Sequence, residues 1–487
     1  MNLKKPAAEL ADLAALEKNK ICDYQISQNI PADIFRAYDI RGPVAADYLT
    51  PDLAYTIGLA IGAQAKDLGE NAIIVGRDGR LSGPQMHQAL CAGLLASGLN
   101  IADIGIVPTP LVYYATARFG ISTGVMITAS HNPGNHNGFK IVLQGKTLTT
   151  ADIANLYHRI MDRRFVHGAG EKSTMACAIE DYIRYVSERI SLPRPLKIVV
   201  DCGNGVPGLV APALYRALGC EVVELYCDLD GRFPNHHPDP LVPGNLVDLI
   251  ARVRAEKADL GLAFDGDGDR LGIVTDQGEI IWPDRLMMLF SQNVLTKHPG
   301  AIIIFDVKCS RFLPVVIEQA GGRPLMWRTG HSIIKNKMLE VGAVLAGEMS
   351  GHIFFKDEWF GFDDGLYVGA RLLQVLSRQN KSAAAVFAAL PDSVNTPELK
   401  LPMDDDKKTG FMTRLLRDAY FGADAQKITI DGLRVDFPFG WGLVRPSNTS
   451  PYLTMRFEAD TPENLEKIKN LFREQLLAIE KDLNLPF

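Results

Sequence analysis

Short apolar runs recur along this chain, each followed by a polar turn, a stretch of helical periodicity that stops at glycine, and a second apolar run. Ala72–Val75 leads into Gly76-Arg77-Asp78, a helical stretch ending at Gly98, and the run Leu99–Ile106. Ile198–Val200 leads into Asp201-Cys202-Gly203-Asn204-Gly205, a helix ending at Gly219, and Cys220–Leu225. Ile302–Phe305 leads into Asp306-Val307-Lys308, a helix ending near Gly321, and Pro324–Trp327. Strand, turn, helix, glycine cap and strand make one βαβ element of a parallel sheet. Three repetitions predict three related α/β domains.

The joins fall where this pattern lapses. The charged helical stretch Glu180–Ile190 with Pro193-Arg194-Pro195 closes the first unit, and the strand Glu279–Ile281 with Trp282-Pro283 closes the second. After Gly361–Leu366, helices run to about Ser377 and over Ser382–Leu390, and Pro391 with the mixed-charge patch Asp404–Lys408 introduces a last domain. That domain ends in an amphipathic helix from Pro462 to about Leu483, its Leu465, Ile468, Leu471, Phe472 and Leu476 spaced to face a core. The expected limits are 1–190, 191–282, 283–391 and 392–487.

Composition narrows the function classes. A chain of 487 residues with 47% hydrophobic content can bury several cores, and length alone predicts about three domains. A formal net charge of −6 without a basic run argues against a nucleic-acid protein. No apolar run is long enough to span a membrane, and Met1–Lys20 is charged and amphipathic without the apolar core of a signal peptide. Seven cysteines, scattered and without a CxxC pair, fit reduced thiols in the cytoplasm, with Cys202, Cys220 and Cys309 as small buried hydrophobes.

The strongest chemical signal is Asp265-Gly266-Asp267-Gly268-Asp269-Arg270, set between the apolar strands Leu260–Phe264 and Leu271–Thr275. The glycines let the backbone turn tightly enough for the carboxylates to converge. Three close carboxylates cost on the order of 10 kcal/mol at an effective dielectric near 20 unless a cation sits among them. All-oxygen ligands select a hard divalent ion. A helix–loop–helix calcium site is excluded, because Arg270 stands where that loop needs glycine and Asp276 where it needs a bidentate glutamate.

The second signal is Thr128-Ala129-Ser130-His131-Asn132-Pro133 followed by Asn137-Gly138-Phe139-Lys140. The buried strand Gly124–Thr128 places Ser130 at a strand's carboxyl end, where α/β proteins build their sites. No nucleophile-elbow pattern surrounds it. Alone, a serine before a histidine is an ordinary turn residue. Arg445-Pro446-Ser447-Asn448-Thr449-Ser450-Pro451, between two strands of the last domain, joins a cation, hydroxyls, an amide and backbone donors suited to an oxyanion or to a plain turn. In Glu348-Met349-Ser350-Gly351-His352 the three polar side chains would share one face if the segment were extended.

These motifs, in this order, resemble those of the α-D-phosphohexomutase family, in its bacterial phosphomannomutase/phosphoglucomutase group. The resemblance runs from Tyr38 to Pro451 and leaves Met1–Ile30 outside. It implies three similar α/β domains with mixed sheets and a smaller α+β C-terminal domain around a central cleft. It implies that Ser130 is carried as a phosphoserine and donates phosphate to a hexose phosphate, passing through a bisphosphorylated sugar that turns over in the cleft. Mg²⁺ held by Asp265, Asp267, Asp269 and Ser130 is implied, with hexose 1,6-bisphosphate as activator. Arg41 of Tyr38-Asp39-Ile40-Arg41-Gly42, with Arg270 and Lys140, would neutralise the transferring group, and Lys140 and His131 both stand as general acid or base. The resemblance also implies substrate contacts from Tyr38, Lys308, His331 of Gly330-His331-Ser332, Glu348, Ser350 and His352. Arg445, Ser447, Asn448 and Thr449 would grip the phosphate that is not transferred. A fourth domain closing over the cleft would exclude water. Hexose phosphates are the expected partners of a monomer or homodimer; a metal-dependent sugar phosphatase and a non-catalytic sugar-phosphate-binding protein are the rival readings.

Overall fold

The computed structural model describes residues 24–447 and 451–487. Among these, the strands form four sheets of seven, five, four and six strands. In the first, Ala72–Arg77 pairs in parallel with Asn100–Ile106 on one side and Gly124–Ile127 on the other, and His136–Leu143 then runs antiparallel to Gly124–Ile127. The second repeats this order with Lys197–Asp201, Glu221–Leu225, Leu260–Phe264 and antiparallel Leu271–Thr275. The third repeats it with Ile302–Asp306, Arg323–Trp327, Leu345–Gly347 and antiparallel Ile353–Phe355. The sheets are therefore mixed, and the three-fold repetition read from the apolar runs extends to a fourth strand in each unit.

That topology positions the chemistry. Parallel strands bring their carboxyl ends to one edge, where ligands bind in such sheets. The loop joining the third strand to the antiparallel fourth holds Ser130 in the first domain, Asp265–Asp269 in the second and Glu348–His352 in the third. The three loops meet at one place. Thr109, opening the helix Thr109–Arg118, donates its hydroxyl to Asp267 Oδ2 at 2.6 Å and its N–H to the Asp267 carbonyl at 2.8 Å, so the first domain grips the second at the acidic loop. Tyr182 of the helix Ala178–Ser187 donates to Asp364, the residue that caps the helix Gly365–Ser377 through Tyr367 N–H, and this ties the two helices together.

The fourth sheet is antiparallel through Gln426–Ile428, Leu433–Phe437, Gly440–Pro446 and Tyr452–Ala459. The helix Pro462–Ile479 buries Leu465, Ile468, Phe472 and Leu476 against it, as the periodicity predicts, with Leu471 partly covered. One element departs from expectation. Asp405–Asp418 is a helix that the sequence pattern did not announce, its first turn made of the charged patch that introduces the last domain, with Phe411, Met412 and Leu415 buried. Its charged first turn and Gly410 hide a narrow apolar stripe. Arg434 stacks on Trp441 and donates to the carbonyls of Val307 and Cys309, seating the last domain on the third. No helix of the described residues is long and apolar enough to cross a membrane. The segment Met1–Lys20 lies outside the described residues.

Candidate functional site

Ser130 is buried and has φ +51°, a left-handed conformation unusual for a residue with a Cβ. Its N–H donates to Thr128 Oγ1 at 2.9 Å, and its hydroxyl donates to Asp265 Oδ2 at 2.7 Å, a bond between loops 135 residues apart. His131 Nδ1 lies 3.3 Å from the same hydroxyl. Burial first, then Arg270 and Arg41, lower the basicity of His131, which leaves a neutral ring beside the serine.

Asp265, Asp267 and Asp269 are fully buried, and an oxygen of each lies within 4.8 Å of the others. Lys140, buried on the strand His136–Leu143, donates to Asp267 Oδ2 at 2.7 Å and Asp269 Oδ2 at 2.5 Å. Burial alone would depress its ammonium, but Asp267 and Asp269 outweigh burial and raise it. Oδ1 of Asp267 and Oδ1 of Asp269 are buried without a hydrogen-bond partner. Burial, then Asp267 and Asp269, push the Asp265 carboxyl well above its usual range, whereas at Asp269 burial is overcome by Lys140 and His352, which hold that carboxyl well below it. Asp267 Oδ1, the Asp265 and Asp269 carboxylates and a serine hydroxyl are an all-oxygen donor set that fits a hard divalent ion. Arg270 sits 3.8 Å from Asp265 and 3.9 Å from Asp269 at the edge of the cluster.

From this cluster a cleft of about 590 Å³ opens toward the third and fourth domains, lined by Tyr38, Arg41, His131, Lys140, Arg270, Lys308, His331, Glu348, Ser350, His352, Arg445 and Ser447. Arg41 pairs with Asp39 and donates to Asn132 Oδ1 at 3.0 Å, beside the serine loop. Glu348, Ser350 and His352 do converge, but not by extension. Glu348–His352 is a tight turn with Gly351 at φ +91°, and it brings His352 Nδ1 to 3.0 Å from Ser350 Oγ and 3.2 Å from Glu348 Oε2. Burial would discharge the His352 ring, but Asp269, 3.4 Å from Nε2, overrides it and lifts the ring to about 9. His331, whose ring is kept neutral by burial and by Lys335, packs edge-on to Tyr38 at 5.4 Å. Tyr38 reaches the Thr329 carbonyl across the cleft at 3.4 Å.

Lys308 pairs with Glu398 at 3.1 Å and lies 3.8 Å from Asp306; Arg445 pairs with Asp431 at 3.0 Å. Ser447 accepts from Lys408 through its carbonyl, while Asn448 and Thr449 lie outside the described residues. Several residues at the site carry no signal in the sequence reading. Asp78, Arg80, Thr109 and Glu398 are reached only through the fold, although Asp78 does stand in the polar turn of the first repeat. An aspartate recurring after the first strand of all three units was the cue available.

A charged cleft between three repeated α/β domains and a smaller α+β domain, with a serine hydroxyl set against a carboxylate cluster at its floor, defines the class of a multidomain α/β phosphoryl-transfer fold. Profiles of the phosphoglucomutase/phosphomannomutase family match in order: alpha/beta/alpha domain I over residues 32–167, domain II over 180–278, domain III over 282–394 and the C-terminal domain over 397–475. The chain belongs to the phosphoglucomutase/phosphomannomutase family. It is 54% identical over 458 residues to a Pseudomonas aeruginosa phosphomannomutase/phosphoglucomutase, covering 94% of this chain and 98% of that protein. A Neisseria meningitidis phosphoglucomutase is 49% identical over 459 residues, covering 94% of this chain and 99% of its own length. The crystal structure of a phosphoglucomutase/phosphomannomutase family protein from Burkholderia thailandensis superposes with a TM-score of 0.89 at 49% identity, covering 94% of this chain and all of the other.

Proposed function

We propose that this protein reversibly converts hexose 1-phosphates to hexose 6-phosphates, with glucose and mannose as the sugars, through a phosphoserine at Ser130. The observation that carries the reading is the Ser130 hydroxyl, 2.7 Å from Asp265 at the floor of a cation-lined cleft. The Oγ–phosphorus bond of phospho-Ser130 breaks as a sugar hydroxyl forms a new bond to phosphorus, giving a bisphosphorylated sugar. The sugar then presents its other phosphate, and Ser130 is rephosphorylated.

Asp265, Asp267 and Asp269, with an oxygen on Ser130, would hold Mg²⁺. When bound, Mg²⁺ supplies charge neutralisation to the transferring group. Lys140 and Arg270 add fixed positive charge beside it; Lys140, committed to two carboxylates, suits this better than proton acceptance. Neutral His131, its Nδ1 3.3 Å from the Ser130 oxygen, stands beside the reacting group as a candidate acid or base. Arg41 steadies the serine loop through Asn132. Glu348, Ser350 and His352 offer donors and acceptors to sugar hydroxyls, with Tyr38, His331 and Lys308 completing the wall. Arg445, with Ser447, Asn448 and Thr449, grips the distal phosphate, and the fourth domain closes over it to keep water from the phosphoserine. Hexose 1,6-bisphosphate restores the phosphoserine when it is lost. The domain limits that accompany this reading are 1–190, 191–282, 283–391 and 392–487.

The test is a coupled assay with glucose 1-phosphate and mannose 1-phosphate, with and without the 1,6-bisphosphate. Formation of both 6-phosphates is the expected result. Release of inorganic phosphate at comparable turnover would make the protein a phosphatase, and binding without turnover a sensor.

A further inference from the structure

The first strand of each α/β domain runs into an aspartate whose Oδ1 accepts the backbone N–H two residues on: Asp78 from Arg80 at 3.0 Å, Asp201 from Gly203 at 2.9 Å, Asp306 from Lys308 at 3.3 Å. One fold position thus carries three different residues. In the third domain its cation lines the cleft, and in the second it is glycine. In the first its cation is turned away from the cleft and into the protein, with Arg80 only 1% exposed.

There the guanidinium uses all five of its N–H donors. Nη2 donates to the carbonyls of Ser130 and Asn132, both at 2.7 Å. Nη1 donates to the carbonyls of Pro133 at 2.6 Å and His136 at 3.0 Å, and Nε donates to Asp78 Oδ2 at 3.1 Å. Asp78 Oδ2 also accepts the Thr128 hydroxyl at 2.7 Å, and Thr128 Oγ1 in turn accepts the Ser130 N–H. Phe233, from the second domain, covers the guanidinium at 5.4 Å. The Ser130 carbonyl is therefore held directly by Arg80, and its N–H by Thr128, whose hydroxyl is itself fixed on Asp78. The left-handed conformation these contacts fix is disfavoured for a residue with a side chain, so it persists only where its surroundings impose it. That conformation aims Oγ at Asp265.

We propose that Arg80 is a positioning residue for phosphoryl transfer, holding the Ser130 loop from beneath so that the Oγ–phosphorus bond lies in line with the incoming sugar oxygen. The proposal rests on the phosphoserine reading above. Lysine cannot substitute: its three donors on a point charge do not span four carbonyls and a carboxylate.

The test compares wild type, Arg80→Lys, Arg80→Ala and Asp78→Asn. Each is charged with glucose 1,6-bisphosphate, and single-turnover transfer from Ser130 to glucose 1-phosphate is measured beside kcat, KM and Tm. Misaligning a reacting group by about an ångström costs roughly 100-fold in rate, and a loss of that order is expected in single-turnover transfer and kcat. KM should stay near wild type, because Lys308 and Arg445 are untouched. Millimolar guanidinium should restore part of the transfer rate to Arg80→Ala and none to Arg80→Lys. If Arg80→Ala does not fold, Arg80→Lys and Asp78→Asn decide the matter. Variants that melt earlier but transfer at the wild-type rate would overturn the positioning role alone. A wild type whose Ser130 never accepts phosphate would overturn the transfer reading and this role together.

Discussion

The two ends of the cleft are built on different plans. At the floor, Ser130, Lys140, Asp265, Asp267 and Asp269 are buried and cross-bonded between domains, and even the backbone of the serine loop is tied down by side chains. At the mouth each cation meets one close carboxylate, Lys308 across the join to the fourth domain and Arg445 within the fourth domain. Lys308 rests on Glu398, whose side chain is 36% exposed, and Arg445 rests on Asp431, so an arriving phosphate can replace or join these pairs. Preorganised charge is most effective where charge shifts during reaction. Exchangeable charge suits a site that must hold one sugar in two opposite orientations. On the proposed function, the floor would serve the chemistry and the mouth recognition.

Mutations should separate the two plans by the size and kind of their effects. Ser130→Ala should keep its Tm and lose at least about 10⁴-fold in kcat, the scale seen when a nucleophile is removed; steady-state assay and thermal unfolding check both. Asp267→Asn should next weaken Mg²⁺ affinity by roughly 10- to 100-fold, the worth of one charged contact at about 1.5–3 kcal/mol. Calorimetric titration reads this directly, and EDTA should abolish wild-type activity until Mg²⁺ is returned. At the mouth, Arg445→Ala should cost roughly 10- to 100-fold in kcat/KM for the 1-phosphate and 6-phosphate alike, with Ser130 phosphorylation intact. An equal loss of phosphorylation would erase the distinction between the two ends. Glu348→Ala should lower turnover of glucose and mannose phosphates together, measured side by side; loss of one alone would mean that Glu348 reads the C2 configuration.

A last effect, on stability rather than on turnover, concerns the contact between Tyr182 and Asp364 rather than either end. Burial lifts the Asp364 carboxyl to about 7, against an ordinary value near 3.8. A carboxyl raised on folding stabilises most below its unfolded pKa and loses that contribution as pH climbs through its folded one. Asp364→Asn removes the titration, so the Tm of the variant relative to wild type should rise progressively between about pH 4 and 7 and then level off. A difference flat across that window would mean the carboxyl is not held neutral beside Tyr182.

Much of this architecture was legible because strand and helix periods are local. The runs at Leu260–Phe264 and Leu271–Thr275 are strands to the residue, and the glycines ending each βαβ helix mark real stops. The helix Asp405–Asp418 escaped because its apolar stripe is thin and its first turn is charged. The convergence of Glu348, Ser350 and His352 was anticipated for the wrong reason, since a turn at Gly351 rather than an extended strand brings them together. The candidate site came from motif resemblance; the structure sets twelve of its described members around one cleft and buries Ser130, Asp265, Asp267 and Asp269 against the lining residues His131, Lys140 and Arg270. What the chain could not disclose is any role defined by distant partners. Arg80 beside Asp78 reads as a common surface pair until the fold sets four carbonyls, 50 to 56 residues away, around its guanidinium.

The central claim is that Ser130 carries the phosphate between turnovers. Intact mass and peptide mapping of the purified protein, before and after incubation with glucose 1,6-bisphosphate, test it most directly. The account predicts one phosphate per chain, on Ser130, gained from the bisphosphate and discharged to glucose 1-phosphate. A stoichiometric phosphate on any other residue, or full mutase activity from a protein never phosphorylated on Ser130, would contradict it.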